Sequence, residues 1–135
     1  MKIYFDGGCR PNPGAMETAV VARGKLSHRR DVGYGTSEQA EWLALLDALA
    51  LAQRLGERAP LLLGDSAGVV AQANGNARSR SPAARASRLA FEQMASEFDR
   101  VRVRRTKRAQ NLAGIALGMI RQGRGIGDGL QGVEG

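Results

Sequence analysis

KIYFDGGCRPNPG, residues 2–14, alternates Ile3 and Phe5 with Tyr4 and Asp6 and then breaks at Gly7-Gly8. Alternation with a period of two marks a half-buried strand, here one that ends in an acid. Cys9 to Gly14 is dense in turn formers, which send the chain back on itself. Thr18 to Ala22 (TAVVA) is β-branched enough for a second strand, and a weaker third is expected from about Arg29 to Tyr34. Together these segments predict a short antiparallel meander.

Beyond the meander the period changes. Thr36 and Gln39 match a capping box, and between Glu41 and Leu55 the apolar residues Trp42, Leu45, Leu46, Leu49 and Ala52 fall on one helical face. Trp42 and the leucine row are therefore expected in the core. Pro60 stops this pattern, and Leu61-Leu62-Leu63 followed by Gly64-Asp65-Ser66 reads as a strand buried on both faces, again ending in an acid. Ala67 to Ala73 fits a short helix ended by Asn74-Gly75, Asn76 to Ser81 a basic loop, and Pro82 opens a helix to about Phe98. Val101 and Val103 alternate with Arg100, Arg102 and Arg104 as a strand with one wet face, and a last helix is expected from about Ala109 to Ile120. The order of elements predicts an α/β layout, with the Lys2 and Leu61 strands as parallel neighbours.

At 135 residues the chain has room for one core, expected over residues 1–122; the remainder, 123–135, holds six glycines and is expected to be a disordered tail. No apolar run reaches the roughly 18 residues of a membrane helix, and the opening lacks the pattern of a secretion signal. The single cysteine, Cys9, excludes an internal disulfide and fits a reducing compartment, so a cytoplasmic protein without a disulfide partner is expected, working as a monomer. Charge is more telling: 20 Lys plus Arg against 13 Asp plus Glu leave +7. Arg78, Arg80, Arg85, Arg88, Arg100, Arg102, Arg104, Arg105, Lys107 and Arg108 face only Glu92, Glu97 and Asp99 in the same stretch, an excess equal to that of the whole chain. A polyanionic partner is the first class to consider, solubility the bland alternative.

The acids outside that stretch are free for local work. Asp6 and Asp65 lie at the carboxyl ends of neighbouring strands, where open α/β sheets gather their functional groups, and Glu41 falls near the start of the intervening helix. Singly, each reads as a turn residue, a cap or a complement to a helix dipole. Three carboxylates at one place repel one another unless a divalent cation joins them, and oxygen ligands without histidine or cysteine select Mg²⁺ or Mn²⁺. In a basic protein such a site points to phosphoryl-transfer chemistry.

Asp6-Gly7-Gly8-Cys9-Arg10-Pro11-Asn12-Pro13-Gly14 resembles the DG-x-x-x-x-NPG signature of the type 1 ribonuclease H family. Thr36 to Leu46 (TSEQAEWLALL) resembles its T-N-x-x-AE-x-x-AL helix, Gly64-Asp65-Ser66 with Val69-Val70 its DS-x-x-V segment, and Arg108-Ala109-Gln110-Asn111 the R-x-x-N before its final helix. Four motifs in register over roughly residues 1 to 120 are far more specific than any one. The resemblance implies a ribonuclease H-like fold, a five-stranded mixed sheet of antiparallel meander plus parallel strands, with helices on both faces. It also implies that Asp6, Glu41 and Asp65 bind two Mg²⁺ (or Mn²⁺) ions and hydrolyse the RNA strand of an RNA/DNA hybrid, leaving 5′-phosphate and 3′-hydroxyl ends. By the same resemblance Asn12 contacts the RNA backbone near a 2′-hydroxyl, its bland reading being a turn residue before Pro13. Gly7, Gly8, Ser37, Ser66, Arg78, Arg80, Lys107 and Arg108 complete the candidate substrate contacts; for the arginines of the basic stretch a solvated helix face is the competing reading.

The sequence also departs from the family. Its fourth acid follows the R-x-x-N asparagine by four residues, where this chain has Ile115; the other register puts Gln110 there, and Asn111 is a third candidate to complete the set. The only acids downstream are Asp128 and Glu134. Two amide residues before the helix glutamate are replaced by Ser37 and Glu38, and the family's mobile histidine has no counterpart beyond Lys107 or Arg108. The lone histidine, His28, is expected on the surface in a hairpin turn, and Cys9 as packing in its own turn. Two alternatives stay open: a catalytically weak hybrid-binding module, and another nuclease of the same fold.

Overall fold

The structure, a computed structural model, describes residues 1–123 and the backbone of 131–134. The chain runs through strands β1 (Lys2–Cys9), β2 (Gly14–Ala22), β3 (Lys25–Arg29) and β4 (Tyr34–Gly35), then helix α1 (Ser37–Arg54) and strand β5 (Leu61–Gly64). Helices α2 (Ala67–Ala73) and α3 (Pro82–Ala95), strand β6 (Arg102–Arg105), a 3-10 turn at Arg108–Gln110, helix α4 (Leu112–Arg121) and strand β7 (Gln131–Glu134) follow. The sheet order is β6-β5-β1-β2-β3-β7, with β4 pairing to β2 off that path. β1 is antiparallel to β2 and parallel to β5; it does not end at Asp6 as expected but runs on through Gly7 and Gly8 to Cys9, whose backbones pair with β2, so Asp6 stands within β1 and meets Asp65 just beyond the parallel β1–β5 ladder. The five strands implied by the resemblance, β1, β2, β3, β5 and β6, form its body.

Alternation in the strands builds two cores. Ile3, Phe5, Val20 and Ala22 pack with Trp42, Leu45 and Leu49 of α1, Val69 of α2 and Phe91 of α3. Ala19, Val21 and Leu26, turned the other way, pack against Ala113, Ala116 and Leu117 of α4. Helices thus cover both faces. Trp42 is buried and meets Phe91 edge-on at 6.4 Å, as a core residue does. α1 starts where the capping box places it: Thr36 accepts from Gln39 N while Gln39 Oε1 accepts from Thr36 N.

Three further expectations need correction. The third strand is not 29–34 but Lys25–Arg29, because Arg23 and Gly24, both at positive φ, close a two-residue hairpin directly after β2 and pair Ala22 with Lys25. His28 consequently sits in mid-strand, buried, with Nε2 3.1 Å from Glu17 Oε2, and not on a surface turn. Part of the stretch expected as a disordered tail, Gln131–Glu134, runs parallel to β3 as β7. The free backbone groups of an edge strand pair with a passing chain whatever its side chains. Residues 124–130, with Asp128, and residue 135 lie outside the described residues.

Candidate active site

Asp6 is carried by β1, Glu41 by the second turn of α1 and Asp65 by the junction of β5 and α2. One carboxylate oxygen from each lies within 4.8 Å of the others. Two glycines permit this convergence. A Cβ on Gly7 would stand 2.0 Å from Ala40 O, so only glycine lets the start of α1 lie against β1. A Cβ on Gly64 would stand 2.4 Å from the Phe5 ring, whose packing brings β5 and Asp65 alongside β1. Glu41 Oε1 accepts from Gly7 N at 3.2 Å, tying the helix to the strand at the site itself. Asn111, fully buried, spans the other side: Nδ2 donates to Phe5 O and to Asp65 Oδ2, both at 3.0 Å, while Oδ1 caps α4 through Ala113 N and Gly114 N.

Burial of the site disfavours the charged forms of Asp6 and Glu41. Burial, then a hydrogen bond to Asp6 and its charge, push Glu41 up to about 10, although the Gly7 N–H acts the other way. Burial also raises Asp6, with its hydrogen bond to Glu41 opposing. Glu41 Oε2 is buried and has no hydrogen-bond partner among the described residues. Crowded carboxylates, all-oxygen donors and an orphaned buried oxygen fit a hard divalent ion.

The acids open into a cavity of about 410 Å³ lined also by Gly7, Gly8, Cys9, Ser37, Arg108, Gly114, Ile115 and Arg121. Of the sequence candidates, Gly7, Gly8, Ser37, Arg108 and Ile115 therefore share the cavity with the acids. Asn12 stands beside it, with Oδ1 accepting from Ser37 N at 3.1 Å and lying 3.6 Å from Cys9 Sγ, so it braces the β1–β2 turn against α1. Ser66 caps α2 through Val69 N. Lys107 and Gln110 are exposed and do not line the cavity. Arg78 and Arg80 line a separate depression with Ser79, Arg85 and Arg88.

Residues 5–118 match the family model described as "Reverse transcriptase-like". Among solved structures, RNase H1 from the halophilic archaeon Halobacterium salinarum NRC-1 superposes with TM-score 0.80 at 29% identity, covering 90% of this chain and 97% of that one. The N-terminal RNase H domain of Rv2228c from Mycobacterium tuberculosis, solved as a fusion with maltose-binding protein, gives 0.74 at 28%, covering 90% and 96%. The chain belongs to the type 1 ribonuclease H family. The fold is further matched by LC11-RNase H1 in complex with an RNA/DNA hybrid, with TM-score 0.74 at 23% identity, covering 86% and 91%. As a ribonuclease H-like nuclease, this chain differs at the fourth position: Ile115 lines the cavity with an apolar side chain, and Asn111 turns its amide nitrogen, not its oxygen, to Asp65. Sequence reasoning missed Arg121, whose guanidinium reaches from the end of α4 back over Gly8. Its position ten residues after the Asn111 cap, on a face shared with Gly114 and Gly118, was the available signal.

Proposed function

We propose that this ribonuclease H cleaves the RNA strand of RNA/DNA hybrids with the help of two divalent ions, Mg²⁺ or Mn²⁺, leaving 5′-phosphate and 3′-hydroxyl ends. The observation that carries the reading is the meeting of Asp6, Glu41 and Asp65 in one arginine-rimmed cavity of a family member. Asp6, Glu41 and Asp65 would hold the ions, which when bound supply positive charge for the phosphodiester and lower the pKa of water. Gly7 N holds Glu41 by Oε1 and leaves Oε2 for this work, and Asn111 fixes one oxygen of Asp65. Gly7 and Gly8 line the cavity and make room there for the start of α1 and for the Arg121 guanidinium, beside which a sugar-phosphate backbone would lie. Arg108 offers a cation at the rim, and Lys107 precedes it on the same exposed turn. Asn12 in the β1–β2 turn and Ser37 at the start of α1, joined by the Ser37 N–H to Asn12 Oδ1, face the RNA strand, where a 2′-hydroxyl distinguishes RNA from DNA. Ser66 keeps Asp65 in place by capping the helix behind it, while Arg78 and Arg80 grip phosphates of the second strand. The hybrid held by LC11-RNase H1 on the same fold supports this substrate.

A second reading has its own observation. Ile115 at the fourth position leaves one carboxylate fewer for the ions, which favours a hybrid-binding protein with slow turnover. The experiment is cleavage of a labelled RNA/DNA hybrid beside the matching DNA and RNA duplexes, in Mg²⁺ and in Mn²⁺, with Asp65→Asn as control. Hybrid-selective, Asp65-dependent turnover supports the nuclease; hybrid binding without turnover at high Mn²⁺ supports the second reading.

A further inference from the structure

Arg121 ends α4, and its side chain does not extend into solvent. Nε donates to Glu17 Oε1 at 2.8 Å, and the other Glu17 oxygen lies 3.1 Å from Nε2 of buried His28. Both neighbours hold the Glu17 carboxyl below the usual carboxylate range despite its partial burial, so it clamps Arg121 as an anion. The guanidinium lies across the end of β1, where a Cβ on Gly8 would fall 2.0 Å from Nη2. Nη2 is buried, lacks a hydrogen-bond partner among the described residues, and belongs to a side chain lining the cavity of Asp6, Glu41 and Asp65.

A buried guanidinium nitrogen carries N–H groups that need acceptors, and leaving them unpaired is costly. No hydrogen bond joins it to the carboxylates of the cavity among the described residues, although its charge acts on Asp6: Glu41 Oε1 accepts from Gly7 N, and Asp65 Oδ2 accepts from Asn111. Glu41 Oε2, also unpartnered, does not meet it, so the donor is left for an acceptor entering the cavity beside Gly8, and its charge favours an anionic one. Phosphate oxygens meet both requirements, and the ordering of a long side chain is already accomplished by Glu17 before any ligand arrives. We propose that Arg121 donates from Nη2 to a non-bridging phosphate oxygen of the nucleic-acid strand in the carboxylate cavity, with Glu17 as the positioning residue that aims it. This rests on the hybrid-cleaving reading given above and adds to it a phosphate contact from the end of α4.

The test is equilibrium binding of a labelled RNA/DNA hybrid to the full chain in EDTA, across roughly 50 to 200 mM salt, with cleavage in Mg²⁺ measured in parallel. Arg121→Met keeps the length of the side chain and removes its donors. It is expected to weaken binding about tenfold and to make the slope of log K against log salt shallower by about one. Arg121→Lys is expected to recover the slope, and Glu17→Gln to weaken binding while keeping the wild-type slope, since the charge persists but is no longer aimed. Melting curves identify any variant that has lost its fold; the lysine and Glu17 variants then carry the comparison. An unchanged affinity and slope in Arg121→Met, with wild-type protein binding and cleaving the hybrid, overturns the proposal and leaves the hybrid-cleaving reading intact. A raised Mg²⁺ requirement with an unchanged slope also overturns it, because Arg121 would then be serving Asp6. Wild-type protein that neither binds nor cleaves the hybrid brings down the reading itself.

Discussion

Burial and the neighbouring Asp6 hold Glu41 far above the ordinary carboxylate range, and the consequences are measurable. Its folded value of about 10 stands far above the ordinary 4.5, so between those values the native state binds a proton that the unfolded chain has released. Stability from this group is complete below about pH 4.5 and is lost as pH rises toward 10. The metal-free protein is therefore expected to melt at progressively lower temperature as pH rises through that window, and Glu41→Gln to flatten the trend; a parallel decline in the variant would dismiss Glu41 as its source. Divalent ions compete with the same protons, so their apparent affinity is expected to climb with pH, as calorimetric titrations at pH 6 and pH 8 would read directly. Ile115 offers the complementary experiment. It lines the cavity, is partly exposed, and stands in the first turns of α4, where a carboxylate also favours the helix dipole. Ile115→Asp is expected to lower the Mg²⁺ concentration for half-maximal cleavage by roughly tenfold or more, the scale at which ligand-shell changes act. No change in that concentration would show that the position does not reach the ions.

At the scale of elements, the site depends on how closely α1 approaches β1. Gly7→Ala places a methyl group against the Ala40 carbonyl and the Glu41 amide, backbone atoms with little freedom to retreat. Overpacking of this kind costs about 2 kcal/mol, roughly 8 °C in Tm for a domain of this size. Because the same displacement carries Glu41 away from Gly7 N, cleavage is expected to fall further than the lost fold accounts for at 25 °C. Thermal melts paired with rates below the transition separate the two effects. This approach was legible only in part. The capping box, the leucine face, the alternation of Ile3 and Phe5 and the acid ending β5 locate α1, β1 and β5 from local chemistry, since caps and periodicity depend on near neighbours in sequence; the end of β1 was misplaced, because Gly7 and Gly8 pair with β2 and do not break the strand. The Arg23-Gly24 hairpin was not legible, because its turn lacks the Asn-Gly or Asp-Gly signal and its positive φ at arginine is imposed by the pairing of β2 with β3. Arg121 was hidden for a similar reason: its reach to Gly8 exists only once α4 packs across Ala19, Val21 and Leu26.

Over the whole molecule, charge is divided as the sequence suggested, with the acids of the site at one sheet edge and an arginine-rich segment following α2. Arg78, Arg80 and Arg85 are exposed, and Arg88 pairs with Glu92 at 3.0 Å. The loop is not loosely attached: Ser79 donates to Gln72 Oε1 at 2.9 Å, and Gln72 Nε2 donates to Glu38 Oε1 at 2.7 Å. A chain of hydrogen bonds thus fixes the basic loop to the first turn of α1, the helix that carries Glu41, so a duplex gripped at Arg78 and Arg80 would be registered against the carboxylates. Glu38, standing where the family has an amide, has become part of this brace. If about four phosphates are neutralised in this way, hybrid affinity is expected to drop on the order of a hundredfold between roughly 50 and 200 mM salt. Replacing Arg78 and Arg80 together by alanine, both exposed and outside the core, is expected to leave the melting temperature unchanged and to reduce the salt slope by about two. A double variant that binds with the wild-type slope would assign these arginines to solubility, and the grip on the duplex would then have to come from Lys107, Arg108 and the cavity rim alone.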